Sequence, residues 1–492
     1  MTKGIRLRFP PSPTGKIHIG NMRTALFNWL WARKNQGELV LRIEDTDRQR
    51  SSVDFEEIIR QEMEWLGLDV DEGVGVGGKY GPYRQSERLE IYQEYGQRLC
   101  EEGRAYHCYC TPAELEQMRE EARTRGEMPR YDGRCRLLTA QEKERYQAEG
   151  RQPVLRFKVP EEAGEIIVND LIRGQVIFDA AILDDFVIFK SDGMPTYNFA
   201  VVIDDALMEI SDVIRGEDHL SNTPKQLLIY RALGFEPPRF AHLALIMDQN
   251  RAKLKKRSDD QAVYVGEYRE KGYLPEALFN FLALLGWSPK DDQEIMSREE
   301  LIAAFDLAAV NKSAAIFDLD KLNWLNGKYI REEKLERIVE LSIPFLQRAG
   351  YLGEGIAAEQ EQRLRRVIEV ARTRVDYLAQ LPAEAEPFFK ELEFEDQTAV
   401  VEEFKGEQVK LVFTTLKERL NELEELNPES VKQVLQWIRK KLPVKPRAIY
   451  HPLRLALTGM NSGPELIDII YILGLEEVEK RLDYALRLAD RL

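Results

Sequence analysis

The sequence predicts a Rossmann-type α/β nucleotide-binding domain, interrupted by an α+β insertion and followed by an all-α half. Three observations carry that expectation. Strand, glycine-containing turn, helix and second strand follow one another within the first 47 residues, the βαβ unit that opens such domains. From about 105 to 190, cysteines, one charged helix and several short strands break that pattern. After about 330, Leu, Ile and Val recur at helical spacing among alternating Glu and Lys/Arg, with few strand signals.

Each element has its own reason. Residues 5–9 alternate basic and apolar side chains and read as a strand, which Pro10, Pro11 and Pro13 end. Gly15 and Gly20 mark a tight turn. Met22, Ala25, Leu26, Trp29 and Leu30 then line one face of a helix. Leu39, Leu41 and Ile43 alternate in a second strand closed by Glu44-Asp-Thr-Asp47. In the insertion a charged helix is expected near 112–125, with strands at 154–159, 166–168, 176–178 and 186–189. The α/β pattern returns over 197–214. No internal repeat and no Pro/Gly/Ser-rich linker appears, so the domains are expected to pack directly.

Composition narrows the function. At 492 residues, 43% apolar and 32% charged, the chain is an ordinary globular protein of about three domains. No signal-peptide core or membrane-length apolar run is present, so a cytoplasmic location is expected, without a membrane partner. Four cysteines cannot make a disulfide framework; three of them, Cys108, Cys110 and Cys135, fall within 28 residues and suggest a metal clip. The net charge of −15 argues against wrapping nucleic acid with the whole surface. Basic residues nonetheless gather at three places: ten Lys/Arg in residues 1–50, five in 251–257 and five in 439–447. One such run is ordinarily a solvated face; three suggest a polyanion held at several points.

Pro11-Ser-Pro-Thr-Gly-Lys-Ile-His-Ile-Gly20 lies between strand and helix. Glycines let backbone approach a ligand, and the helix N-terminus offers free N–H groups to phosphate. His18 can donate to a phosphate as charge develops. Spacing alone equally allows a plain turn. Lys253-Leu-Lys-Lys-Arg257 would by itself be a basic loop, but joined with the first element it suits a triphosphate clamp.

These words and others resemble the bacterial-type glutamyl-tRNA synthetases, class I aminoacyl-tRNA synthetases, along essentially the whole chain. The further markers are Arg42-Ile-Glu-Asp-Thr-Asp47, Gly81-Pro-Tyr-Arg-Gln-Ser-Glu-Arg88, Tyr131-Asp-Gly-Arg-Cys135, Pro195-Thr-Tyr-Asn-Phe-Ala200 and Val213-Ile-Arg-Gly-Glu-Asp-His219. Phe317-Asp-Leu-Asp-Lys-Leu322, Asn326-Gly-Lys-Tyr-Ile-Arg331 and Pro452-Leu-Arg-Leu-Ala-Leu-Thr-Gly459 complete them. Two positions depart from the family pattern. Asn21 stands where the class signature ends in histidine, and Lys255 stands in place of the serine of the lysine signature.

The resemblance implies a domain plan. Residues 1–104 and 191–250 would form the catalytic domain, 105–190 an acceptor-end insertion, and 251–330 a connecting domain with the lysine loop. Residues 331–390 and 391–492 would form two helical anticodon-binding domains. It implies ATP, with Mg²⁺, and L-glutamate as substrates, tRNA(Glu) or also tRNA(Gln) as partner, and a monomer. By motif match, His18 and Lys256 are catalytic, and Pro11, Gly15, Gly20, Asn21 and Lys253 join them around ATP. Arg8, Ser12, Glu44, Tyr197, Arg215 and Asp218 match the glutamate pocket. Arg8 is expected to read the γ-carboxylate, and the acidic members the α-ammonium. Val201 falls where some relatives have asparagine, whose polar contact a valine cannot take. Arg374 matches an arginine tied to tRNA choice, and Arg439, Lys440 and Lys441 are expected to hold phosphates. Cys108, Cys110, Cys135 and Tyr131 are the expected structural zinc ligands, because Leu137 replaces a histidine that some relatives use; His107 is an alternative. Three rivals are weighed. Glutamyl-queuosine tRNA(Asp) synthetases lack a helical half, and glutaminyl-tRNA synthetases have a β-rich one. A nucleotidyltransferase-like RNA-binding module without ligase activity would not need residues 330–492.

Overall fold

The computed structural model describes residues 4–47, 52–254, 262–353, 355, 358–394 and 396–491. They form two compact units, Met1–Tyr268 with Leu278–Asp318, and Arg269–Ala277 with Leu319–Leu492.

The chain opens with β1 (Arg6–Phe9), α1 (Ile19–Lys34), β2 (Glu38–Leu41), α2 (Val53–Leu66), β3 (Glu72–Gly73) and α3 (Leu89–Glu101). The insertion region holds β4 (Ala105–Cys108), α4 (Pro112–Thr124), α5 (Ala140–Ala148), β5 (Val154–Phe157), β6 (Glu165–Asp170), β7 (Gly174–Asp179) and β8 (Val187–Phe189). Next come α6 (Tyr197–Leu207), β9 (Asp212–Gly216), α7 (Thr223–Leu233), β10 (Arg239–Leu243), β11 (Ile246–Met247), α8 (Val265–Lys271), α9 (Pro275–Leu284), α10 (Arg298–Ala304) and β12 (Ala315–Ile316).

β1, β2 and β3 run parallel in that order, as the βαβ reading requires. β10 pairs in parallel with both β9 and β6. Ser211 ties the two sheets: its N–H donates to the Arg6 carbonyl at 2.9 Å, and its Oγ accepts from the Arg6 N–H at 2.8 Å. The order across the two sheets is therefore β3-β2-β1-β9-β10-β6-β7. The chain winds outward from β1 one way and from β9 the other, which leaves a crevice at the carboxyl ends of those two strands.

Burial and sheet pairing add detail to the strand readings. All four residues of β1 are buried, Arg6 and Arg8 included. β2 likewise buries Leu39, Val40 and Leu41 together, because a parallel sheet is covered on both faces. The expected insertion is also divided between sheets. β4, β5 and β8 form an antiparallel sheet of their own, whereas the β6–β7 hairpin joins the sheet of β9 and β10.

The second unit contains α11 (Leu319–Glu332), α12 (Leu335–Arg348), α13 (Ala358–Ala371), α14 (Leu381–Phe389), α15 (Gln397–Glu403), α16 (Glu407–Asn421), α17 (Pro428–Lys441), α18 (Pro446–Thr458) and α19 (Leu466–Ala489). Among its described residues there is no strand, as the helical periodicity predicts. Ile338, Val367, Phe413, Ile438 and Ile469 are fully buried in one continuous apolar core. α17 shows how local signals set an end: Asn427 caps it by accepting from Ser430 N–H, and Pro428 opens the first turn. No described helix is long and apolar enough to cross a membrane.

Candidate active site

The crevice between β1 and β9 is a pocket of about 580 Å³. Its wall includes eleven of the predicted site residues: Arg8, Pro11, Ser12, His18, Gly20, Asn21, Glu44, Tyr197, Arg215, Asp218 and Lys253. Gly15 is not on that wall. Lys256, with Lys255 and Arg257, lies outside the described residues. The segments flanking it are placed. Leu254 N–H donates to the Ile246 carbonyl at 3.2 Å, and beyond the loop Val263 accepts from Ile19 N–H at 2.9 Å. The chain therefore leaves from the pocket wall and returns beside the start of α1.

His18 caps α1. Its Nδ1 accepts from Gly20 N–H at 3.0 Å, so the ring proton sits on Nε2 and faces a hydrogen bond with the Leu254 backbone. Burial first, and then the Lys253 charge, lower its pKa, so the ring is a neutral donor. A Cβ at Gly20 would lie 3.3 Å from His18 Nδ1, a tight contact that would push on the ring. No acidic side chain occupies the first turn of α1, which leaves its positive dipole end available to phosphate.

Beneath the pocket lies a buried charge network. Arg8 Nε donates to Asp205 Oδ1 at 3.2 Å. Arg42 reaches Asp205 at 2.7 Å and Glu44 at 3.2 Å. Asp204 accepts from Arg88 Nε at 2.7 Å, from Gln85 at 2.9 Å and from the Tyr92 hydroxyl at 2.9 Å. Three arginines thus face three carboxylates. Burial raises Asp205, but the charges of Arg8 and Arg42 outweigh it and hold its pKa below the ordinary value. Glu44 goes the other way: burial pushes it up to about 6, against the pull of Arg42 and Arg8. Tyr197 Oη and His219 Nδ1 are 3.0 Å apart, and burial together with Arg215 lowers His219 to about 4.

Several guanidinium nitrogens are left over, among them Arg23 Nε on the pocket wall and Arg42 Nε beneath it. Arg8 Nη1 and Arg215 Nη1 are buried and have no hydrogen-bond partner. Buried donors without acceptors are costly. Both residues belong to the pocket wall, so a carboxylate entering it could satisfy them.

Sequence reading missed the rest of this network. Arg42 sits within a quoted motif without having been given a role. Asp204 and Asp205 had a usable signal: two adjacent carboxylates directly follow the apolar run of Phe199–Ile203 on α6, where an unpaired charge would be costly.

The cysteine cluster lies in the insertion region. The sulfurs of Cys108, Cys110 and Cys135 are all within 4.8 Å of one another, with Cys110 and Cys135 at 3.6 Å. Tyr131 Oη accepts from Cys135 N–H at 3.0 Å, and Tyr131 is buried in one cluster with Cys108 and Cys135. Hydrogen bonds from its neighbours hold the Cys108 thiol far below its ordinary pKa. The donor set is three thiols and a phenol, which suits a tetrahedral thiophilic ion. His107 is exposed, outside the group of three cysteines, and Leu137 is 88% exposed.

In the helical unit Arg374 is exposed, and its Nε donates to Glu384 at 2.6 Å. Arg439, Lys440 and Lys441 form the exposed last turn of α17.

Comparison with known proteins agrees with this layout. The model of the family "tRNA synthetases class I (E and Q), catalytic domain" matches residues 4–324, and that of an anticodon binding domain matches 337–486. A glutamate–tRNA ligase of Carboxydothermus hydrogenoformans is 52% identical over 97% of this chain and 99% of its own. One from Bacillus velezensis is 47% identical over 98% and 99%. The crystal structure of a glutamate tRNA ligase from Elizabethkingia meningosepticum, in complex with its amino acid, superposes with a TM-score of 0.89 at 36% identity, covering 99% of both chains. With likeness of this degree along its whole length, the chain belongs to the glutamate–tRNA ligase family of class I tRNA synthetases.

Proposed function

We propose that this chain joins L-glutamate to the 3′ end of tRNA(Glu) in two steps within the β1–β9 pocket. The observation that carries the reading is the pair of buried, unpartnered guanidinium nitrogens, Arg8 Nη1 and Arg215 Nη1, beside the His18 turn. Glutamate is a dicarboxylate and offers acceptors to both. Arg8 is assigned to the γ-carboxylate, and Glu44 and Asp218 to the α-ammonium, with Ser12 and Tyr197 completing the pocket.

The α-carboxylate is already ionised near neutrality. It attacks the α-phosphorus of ATP, an oxygen–phosphorus bond forms, and pyrophosphate leaves with its Mg²⁺. Catalysis here is positioning and charge stabilisation. His18 turns its Nε2–H from the Leu254 backbone to the phosphates, the N-terminal amides of α1 and the Pro11–Asn21 turn cradle them, and Lys253 and Lys256 neutralise the leaving group. The terminal ribose 2′-hydroxyl then attacks the acyl carbon; the bond from that carbon to the phosphate oxygen breaks, AMP departs with the electron pair, and its phosphate takes the hydroxyl proton.

The anticodon is read by the helical unit. Arg374, braced by Glu384, favours tRNA(Glu) over tRNA(Gln), and the last turn of α17 holds phosphates. Cys108, Cys110, Cys135 and Tyr131 hold one structural zinc, which would cross-link β4 to the 131–135 turn. The enzyme is read as a cytoplasmic monomer.

The test is tRNA-dependent pyrophosphate exchange followed by charging of tRNA(Glu) and tRNA(Gln) in parallel. Exchange should require glutamate, and charging should be confined to tRNA(Glu). Lys256→Ala should lose about 10²–10³ in exchange rate, as removal of one transition-state charge contact does, while Lys255→Ser stays close to wild type. Equal, mild losses in both variants would remove Lys256 from the catalytic set. For the metal, protein purified without chelator should carry about one zinc per chain; protein that is metal-free yet identically folded would discard the zinc reading.

A further inference from the structure

We propose that His242 and Asp170 are positioning residues for Arg215, holding its guanidinium so that Nη1 alone is presented to the amino-acid substrate. This rests on the reading of Arg215 as part of the glutamate pocket.

Asp170 ends β6 and His242 lies on β10, the strand paired beside it. Asp170 is 5% exposed and His242 fully buried. The carboxylate is pinned by backbone: it accepts from the N–H groups of Ile172 at 2.9 Å, Arg173 at 2.7 Å and His242 at 3.1 Å. So many donors keep it ionised, and despite burial its pKa stays below the ordinary value. A fixed anion 2.6 Å from His242 Nδ1 places the ring proton on Nδ1. The Nε2 lone pair then faces Arg215 Nε at 3.1 Å.

Arg215 is held on a second edge as well. Its Nη2 donates to Thr223 Oγ1 and to Gln226 Oε1, both at 2.9 Å. With Nε and Nη2 occupied, the guanidinium plane cannot turn, and Nη1 is the nitrogen left without a partner. The contrast with Arg8 and Arg42 explains the choice of a histidine. Those arginines face carboxylates, which partly neutralise them. Arg215 faces a neutral base, which orients it while leaving its charge to be met by the substrate. A carboxylate in place of His242 would compete with glutamate for that charge. In the other tautomer, Nε2–H would oppose Arg215 Nε–H, and the orientation would be lost.

The experiment is steady-state aminoacylation by the full chain, reading KM for glutamate and for ATP separately. Arg215→Ala should raise the glutamate KM by about 10- to 100-fold, as loss of a charged hydrogen bond does. His242→Leu, which removes the acceptor, should raise it about 10-fold with the ATP KM within about two-fold. His242→Gln, whose side-chain oxygen can accept from Nε, should recover part of that loss. Asp170→Asn, which can donate to Nδ1 and move the ring proton, should resemble His242→Leu. In an Arg215→Ala background His242→Leu should add nothing to the glutamate KM. If Arg215→Ala raises the KM but His242→Leu and Asp170→Asn do not, the positioning role is wrong and the pocket reading stands. If Arg215→Ala leaves the KM unchanged, the pocket reading itself falls. The wild-type protein gives a variant-free readout. It has only five histidines, so ¹⁵N spectra can assign the His242 tautomer. Nδ1–H is expected, and Nε2–H would overturn the proposal.

Discussion

Charged side chains around the pocket and at the end of α17 live in opposite conditions. Around the pocket Arg8, Arg42 and Arg88 are at most 2% exposed and meet Glu44, Asp204 and Asp205 at fixed distances. In the helical unit Arg439, Lys440 and Lys441 stand exposed at the end of α17. A buried charge must be matched atom by atom, because the interior offers nothing else to solvate it. That requirement makes the pocket wall a rigid template, in which Arg8 Nη1 and Arg215 Nη1 lack acceptors that an anionic ligand can supply. An exposed cation is solvated in any rotamer and screened by salt within about 10 Å. It can attract a polyanion but cannot choose one.

The sharpest way to break this contrast is to unbalance the buried side. Asp205→Asn keeps the shape and removes the carboxylate that Arg8 and Arg42 share. Losing one partner of a buried ion cluster costs about 3–5 kcal/mol. Urea denaturation should show a destabilisation of that order in the catalytic unit. A change below about 1 kcal/mol would mean that water already enters the network and that the wall is no template.

Next in size is specificity. Arg8→Ala should raise the glutamate KM steeply and the ATP KM little, because a site built to bind a charged group discriminates by orders of magnitude once that pairing is lost. Arg8→Lys should recover only part, since it keeps the charge and loses the fork. An unchanged glutamate KM in Arg8→Ala would leave Arg215 alone to read the carboxylates.

Glu44 gives a smaller, pH-dependent effect. Its folded pKa is raised to about 6 from 4.5, chiefly by burial. Proton binding therefore favours the folded state; that contribution is complete below about 4.5 and is lost as pH rises through about 6. Function has the opposite sign, because only the carboxylate can hold the substrate ammonium. The glutamate KM should fall as pH rises through about 6 in wild type. In Glu44→Gln it should be high and flat across that range. A wild-type limb that persists in the variant would belong to another group.

How much of this was legible follows from the same contrast. The βαβ opening and the helical half were legible because apolar periodicity records burial of apolar faces. The pocket residues were legible because they sit in long motif words. Arg8 was legible as a pocket residue through its motif, whereas the burial of Arg6 was not, because its buried partner Glu72 lies on another strand. Asp204, Asp205, Asp170 and His242 were invisible as a set. Their partners lie far along the chain, 197 residues away for Arg8 and Asp205 and 72 for Asp170 and His242, and no local pattern encodes a pairing at that separation.

The smallest expected effect tests the exposed side. If the last turn of α17 holds tRNA phosphates, neutralising Lys440 and Lys441 together should weaken all tRNAs alike. It should also flatten the dependence of log affinity on log salt by about 1.4, two contacts at roughly 0.7 each for a single-stranded loop. Arg374→Gln should act differently, changing the ratio of tRNA(Glu) to tRNA(Gln) and leaving the salt slope almost unchanged, because base contacts specify and phosphate contacts position. The basic turn has a second physical role, since cations at a helix C-terminus complement its dipole. The double variant separates the two. A lower melting temperature with an unchanged salt slope would assign Lys440 and Lys441 to the helix, whereas a flatter slope with unchanged melting assigns them to the tRNA. If Lys440, Lys441 and Arg374 all moved the slope and none moved the choice, exposed cations would be attracting RNA without reading it, and discrimination would have to reside in the buried wall.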